Sequence, residues 1–417
     1  MSALAFSQLF LFFLFSTLLT RFWLAARQWR SVSKHRDKVP EQFAGNITPD
    51  AHRKAADYTL AKIRFSLTAL VVDTIVLTGF TFGGGLQYLA SHIFPITGNT
   101  MTGQIALIAA TIVISGAIDL PFDYYRQFVI EQKFGFNHMT RSLYLGDLAR
   151  QTALGVAIGL PVLWILLTVM KKTGTWWWFY AWILWCLFQF LMLFLYPTWI
   201  APLFNRFTPL TDETLKIRIE RLMQRTGFRS SGLFVMDGSK RSAHENAYFT
   251  GMGSAKRVVF FDTLLARLTP DEIEAVLAHE LGHFHLKHVF KRIVFSCLSS
   301  LVLLALLGFL RHEAWFYAGL GIDPSLTSDA LALILFALIL PVFTFFLFPL
   351  ISGNARKHEF EADAFSAKYT QARHLVSALV KLYEDNAATL TPDPLHSAFY
   401  DSHPPASIRI QHLLGHS

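Results

Sequence analysis

Thr269-Pro270-Asp271-Glu272-Ile273-Glu274-Ala275-Val276-Leu277-Ala278-His279-Glu280-Leu281-Gly282-His283 is the stretch from which the rest of the chain can be read. Thr269 suits a helix N-cap, Pro270 the first helical position, and Glu272 completes a capping box. A helix is therefore expected from there through His288. His279 and His283 stand at i and i+4, on one face and one turn apart. Two imidazoles at that spacing can grip one Zn2+, with Glu280 in reach of a water on the ion. The ion lowers the pKa of that water to about 7, and a carboxylate can take its proton as it attacks a carbonyl. That is metallopeptidase chemistry. A chance match in a solvated helix is the rival reading, on the order of a few per cent per chain. The uncharged flanks speak against it. So does Gly282, which costs a helix roughly 1 kcal/mol against Ala and asks for a packing reason. His285 and His288 do not repeat the i, i+4 relation to both histidines. Leu286 and Val289 stand where a metzincin needs Gly and His.

Two histidines leave a catalytic zinc short of one protein ligand, and a carboxylate from a second helix is a known solution. The candidate is in Arg356-Lys357-His358-Glu359-Phe360-Glu361-Ala362-Asp363. Glu359 and Asp363 share a face, and the small Ala362 would let that helix approach another closely. Glu359 reads as the third ligand. Asp363 would accept a hydrogen bond from the far nitrogen of a ligating histidine and fix its tautomer. On spacing alone, Glu359, Glu361 and Asp363 could equally be an ordinary acidic face.

The composition places these motifs at a membrane. The chain is 53% hydrophobic, 15% aromatic and only 16% charged. Seven apolar stretches are long enough to cross a bilayer, near 3–20, 65–90, 104–125, 151–170, 176–200, 293–310 and 329–351. The second is weakened by Gly83-Gly84-Gly85, and the third carries Asp119 and Asp123 beside Pro121. Lys and Arg number 10 in 21–64, 4 in 126–150, 14 in 204–292 and 6 in 353–417, which is 34 of 37. With seven spans these segments share one side, and the positive-inside rule makes that side the cytoplasm. The same bias accounts for the net charge of +8. No basic stripe with interleaved aromatics suggests a nucleic-acid partner. The first span lacks the polarity of a cleaved signal peptide and reads as an anchor. Cys186 and Cys297 fall in or beside spans and form no disulfide or zinc framework. Asp73 inside a span points to a protein or water interior.

Topology now supports the ligand search. The helix bearing His279 and His283 ends just before the sixth span, and Glu359 follows just after the seventh. A hairpin of spans six and seven returns Glu359 to the level of the histidines. Four segments follow: 1–203 with spans one to five, 204–292 as a cytoplasmic metalloprotease domain, 293–352 with spans six and seven, and 353–417 completing the protease domain. Within 204–292, residues 211–227 read as an amphipathic helix ending at Gly227. Leu233–Met236 and Arg257–Phe261 read as strands. Asn246 to Gly251 lie between them, either a plain hairpin or an edge that pairs with an extended peptide.

These residues together resemble the CAAX prenyl protease 1 family of integral-membrane zinc endopeptidases. The resemblance runs through Leu120-Pro121-Phe122, Phe128-Val129-Ile130-Glu131 and Gly135-Phe136-Asn137. It continues through Tyr196-Pro197, Pro202-Leu203-Phe204-Asn205, Phe207-Thr208-Pro209-Leu210, Ser242-Ala243-His244 and Asn246-Ala247-Tyr248-Phe249. It ends with the zinc helix, Glu359 to Phe365, and Ser402-His403-Pro404-Pro405. It implies a mainly α, polytopic fold, with seven helices forming a barrel around a large chamber and a small α+β protease domain as cap. It implies one Zn2+ held by His279, His283 and Glu359, and Glu280 as catalytic base. It suggests that Asn246 binds substrate backbone and that His403, with Arg409, faces the scissile carbonyl. A cationic group there stabilises a developing oxyanion. Without the resemblance, Ser402 to Pro405 would read as a rigid turn. The implied partners are a peptide or protein, lipidated in the family, and membrane lipids. Glu245 before the asparagine, Asn137 to Thr140, and the ending Leu414-Gly415-His416-Ser417 depart from eukaryotic members. The chain reads as a bacterial homologue of the inner membrane, so the family's substrate does not simply carry over.

Two other functions compete with this reading. A heat-shock-type quality-control membrane protease would have fewer spans. A transporter or receptor with a structural zinc site would need four protein ligands, and three convincing ones are present.

Overall fold

The computed structural model describes residues 1–228, 230, 232–244, 247–250 and 257–415, with backbone alone at 248–250. Six long helices begin the chain: α1 Ala3–Lys34, α2 Pro49–Phe80, α3 Gly85–Thr97, α4 Met101–Tyr125, α5 Arg141–Lys172 and α6 Trp177–Leu195. Four of them open on Ser2, Thr48, Thr100 or Thr140, each accepting a hydrogen bond from an otherwise orphaned backbone N–H. Among the described residues six helices are long and apolar enough to cross a membrane, and seven if α2 and α3 are one broken span. That pair bends by 48°. The bend falls at Gly83-Gly84-Gly85, where Gly84 adopts φ +73°, a conformation that favours glycine. The seven expected stretches thus all lie on these elements.

Large apolar side chains such as Phe12, Val113, Trp199 and Leu298 are exposed along the helices, as expected of a membrane-embedded bundle. Inward, Phe10, Leu86, Leu107, Trp177, Phe316 and Leu335 form one core. Arg21, Asp73 and Asp119 line a cavity of about 360 Å³ with residues of α1, α2 and α4. At one end of the bundle the connecting segments meet. Asn99 donates to the Thr327 carbonyl at 3.3 Å, and Arg311 donates to the Met170 carbonyl at 3.0 Å. The metal-ligand candidates do not lie in these segments.

Between α6 and the zinc-motif helix lie β1 Phe207–Pro209, α7 Glu213–Arg225, β2 Leu233–Met236, β3 Ala247–Thr250, β4 Arg257–Phe261 and α8 Asp262–Arg267. The strand order is β1-β2-β4-β3, with β2 and β4 parallel and the outer pairs antiparallel. β1 was not expected. It is three residues long and carries a proline, which a sequence reading demotes; pairing with β2 sustains it. α7 buries Leu215, Ile219, Leu222 and Met223 on one stripe, and Gly227 turns the chain away at φ +67°.

The zinc-motif helix is α9, Pro270–His285. It stops three residues short of the expected end. Lys287 adopts φ 58°, and α10, His288–Leu310, starts directly after it. α11 Ala314–Ala318 and α12 Asp329–Thr344 follow, then α13 Phe348–Tyr369. α13 extends the last span up to α9. α14 Ala372–Asp385, α15 Pro394–Tyr400 and α16 Ala406–Leu414 complete the chain. Ile219, Val258, Phe260, Leu277, Leu281 and Phe365 form the core that joins the sheet, α9 and α13.

Candidate metal centre

The capping box on α9 is formed. The Thr269 hydroxyl accepts from the Glu272 N–H at 3.4 Å, and the Glu272 carboxylate accepts from the Thr269 N–H at 2.7 Å. Glu272 also accepts from Ser377 at 2.6 Å and Lys381 at 2.8 Å, which ties the helix start to α14. Burial alone would raise the Glu272 carboxyl, but Lys381, Ser377 and Thr269 bring it down to about 2. The helix is thus fixed in rotation before its histidines are reached.

α13 crosses α9 at Gly282. A Cβ there would lie 3.0 Å from both the Ala362 Cα and the Phe365 Cβ. That is the packing reason a helix glycine demands, and Ala362 is fully buried in the contact. Ser366 reinforces it by donating to the Ala275 carbonyl at 2.7 Å.

This close approach brings three side chains together. The Nε2 atoms of His279 and His283 are 3.2 Å apart. Glu359 places Oε1 at 3.3 Å from His283 Nε2 and Oε2 at 3.6 Å from His279 Nε2. His279, His283 and Glu359 are one of two groups of described residues able to hold a metal ion. Two neutral imidazoles and a carboxylate are a zinc-type donor set. On the far side of His279, Asp363 Oδ1 lies 2.8 Å from Nδ1. Burial would push the His279 imidazolium down, yet hydrogen bonds to Asp363 and Glu359 hold it up, at about 9. The same carboxylates favour any cation at this point.

Glu280 lies on α9 between the two histidines and is partly buried. His403 lies between α15 and α16, with its Nδ1 2.6 Å from Glu359 Oε2. Its side chain is 64% exposed, so it forms the open rim of the cluster. Arg356 holds this loop by donating to the carbonyls of Ser397, Ala398 and Asp401. Arg409, expected with His403 beside the scissile carbonyl, lies against Asp363. Its side chain is 6% exposed and forks onto Asp363, with Nε at 2.9 Å and Nη2 at 2.5 Å. Nη1 is 3.6 Å from Glu359 Oε2. It braces the carboxylates from behind, because both its neighbours on α13 are acidic and buried. Asn246 lies outside the described residues; β3, which follows it, is the terminal strand of the sheet.

Sequence reasoning missed two partners. Arg356 carries no local signal for its role. The break at Lys287 turns His288 so that its Nδ1 is 3.0 Å from His283 Nδ1. His285 packs on Phe365.

Comparison with known proteins agrees with this geometry. Residues 28–206 match the family described as CAAX prenyl protease N-terminal, five membrane helices, and residues 209–417 match peptidase family M48. The chain is 33% identical over 418 residues to CAAX prenyl protease 1 of Saccharomyces cerevisiae, covering 94% of this chain and 91% of that one. It is 30% identical to the human CAAX prenyl protease 1 homolog, covering 97% and 94%. The crystal structure of S. mikatae Ste24p superposes with a TM-score of 0.89 at 31% identity, covering 98% and 99%. The expected architecture, membrane helices around a chamber with a small protease domain, is the one found.

Proposed function

The chain belongs to the CAAX prenyl protease 1 family of M48 peptidases and is a multi-pass membrane metalloendopeptidase, and we propose that it cleaves lipidated, CAAX-type peptides through one Zn2+ held by His279, His283 and Glu359. The observation that carries this is the convergence of those three donors, from two helices linked through a membrane hairpin, at 3.2 to 3.6 Å. M48 peptidases are zinc-dependent in general. When bound, the ion supplies Lewis acidity to a water and to the scissile carbonyl. Glu280 takes the water's proton and hands it to the leaving amine. Asp363 accepts the Nδ1 proton of His279 and keeps the Nε2 lone pair aimed at the ligand cluster. Arg409 balances the charge of Asp363 and Glu359, two carboxylates that would otherwise repel at close range. His403, on the exposed rim, donates to the developing oxyanion, and Asn246 with the edge strand β3 holds the substrate backbone.

We propose with it the domain division of 204–292 with 353–417 around the hairpin 293–352, which the same pairing supports. The decisive assay is hydrolysis of a farnesylated peptide ending in Cys-aliphatic-aliphatic-X, beside its unprenylated twin, by purified protein. Cleavage of the farnesylated peptide is expected, lost with a chelator and restored by Zn2+. Protein that binds zinc yet leaves both peptides intact while degrading misfolded membrane proteins would move the substrate to quality control.

We also propose a bacterial inner membrane and a cytoplasmic active site, supported by the 34 of 37 Lys and Arg on one side. In a background lacking Cys186 and Cys297, Asn99→Cys and Lys172→Cys label in intact cells with a membrane-impermeant thiol reagent. Glu213→Cys and Lys368→Cys do not. All four residues are exposed, so the reverse pattern would place the site outside.

A further inference from the structure

Every imidazole that gives one nitrogen to a metal must place the proton of the other. His279 Nδ1–H donates to Asp363. For His283, the partner facing Nδ1 is another imidazole, His288, with the two Nδ1 atoms 3.0 Å apart. Two facing nitrogens at that distance need one proton between them. If His288 supplied it, the proton of neutral His283 would sit on Nε2, and His283 could not bind a metal. His288 would then also turn a bare Nε2 lone pair toward Glu361, whose Oε2 is 2.9 Å away. Carboxylate and lone pair repel. The opposite arrangement satisfies every atom. His283 Nδ1–H donates to His288 Nδ1, and His288 Nε2–H donates to Glu361.

We propose that Glu361 and His288 form a two-step relay that sets the tautomer of His283, making both residues positioning residues for the metal centre. The inference rests on the ligand assignment proposed above. The turn at Lys287 puts His288 in place as the first residue of α10. His358 stacks on its ring at 4.0 Å and 12° and holds the ring plane. His288, His358 and Glu361 also form the second group of described residues with ligand atoms close enough for a metal. Once the relay is set, however, both nitrogens of His288 are used. Stacked rings also aim their lone pairs along parallel planes, not at one point.

The test is zinc affinity of the full-length protein in detergent, by chelator competition, with Co2+ absorption as a second readout of ligand geometry. His288→Phe keeps the stack but has no acceptor, and zinc affinity is expected to fall about 10- to 100-fold, as for other outer partners of a ligating histidine. His288→Asn returns an acceptor oxygen near the Nδ1 position and recovers most of the loss. His358→Phe retains wild-type affinity and one zinc per chain. Wild-type affinity in His288→Phe, or no recovery in His288→Asn, reduces His288 to packing and overturns the relay. If His288→Phe does not fold, Glu361→Gln at a partly exposed position decides: weakened zinc supports the relay and wild-type affinity overturns it. A drop from two metals to one in His358→Phe also overturns it, in favour of a second metal site. Wild-type protein that binds no zinc refutes the ligand assignment itself, a result distinct from all of these.

Discussion

Glu280→Gln keeps its zinc and loses turnover by about 10²- to 10⁴-fold, the range for a positioned group that moves a proton in the transition state. The reason lies in the helix. Glu280 follows His279 directly on α9, so its side chain leaves the backbone beside the ligand cluster without belonging to it. The amide of Gln fills the same space but cannot take the proton of an attacking water. Zinc content by elemental analysis and hydrolysis of a farnesylated peptide are measured on the same preparation. His403→Ala gives the contrast. It also keeps zinc, lowers kcat and leaves KM little changed, the pattern of an interaction made mainly in the transition state. Glu280→Gln turning over at a rate comparable to wild type would remove the general base from the mechanism. Normal kcat in His403→Ala would return that residue to a turn.

Much of this centre could be read from the chain because local rules and global topology point the same way. The capping box at Thr269 sets the start of α9, and the i, i+4 histidines follow from helix geometry alone. Glu359 was ambiguous within its own helix, where Glu361 and Asp363 compete. It became legible once charge bias folded spans six and seven into a hairpin, and Gly282 and Ala362 marked where two helices touch. The parts that stayed hidden depend on contacts without a local pattern. The turn at Lys287 follows Leu286 with no Gly, Pro or Asn to announce it, so the approach of His288 to His283 could not be read from the chain. Arg409 is one arginine in a short amphipathic helix. Only the assembled structure shows that it is buried against Asp363. β1 is likewise a tertiary product, a proline-ended segment held by pairing with β2.

Glu359→Ala purifies without stoichiometric zinc, a larger loss than the roughly 10- to 100-fold weakening expected for Asp363→Asn. Glu359 is the one carboxylate in the ligand cluster, and it balances more than an ion. His279, His283, His403 and Arg409 all approach its oxygens within 3.6 Å. Its removal leaves the buried Arg409 and His279 sharing Asp363 alone, and His283 without the carboxylate that faced its Nε2. Breaking one member of a buried ionic group is costly because the remaining charge stays out of water, by about 3–5 kcal/mol. Loss of zinc in the alanine variant could therefore reflect a loosened domain. Glu359→Gln separates the two effects. It keeps the shape and an acceptor oxygen, so the domain holds together, while the missing charge still weakens zinc. Asp363→Asn acts one step further out, by giving His279 Nδ1 a poorer acceptor across the 2.8 Å contact. The expected order of zinc affinity is wild type, then Asp363→Asn, then Glu359→Ala, with Glu359→Gln below wild type and as well folded by gel filtration and thermal unfolding. Full zinc occupancy in a folded Glu359→Ala would transfer the third ligand to Glu361, the next carboxylate along α13.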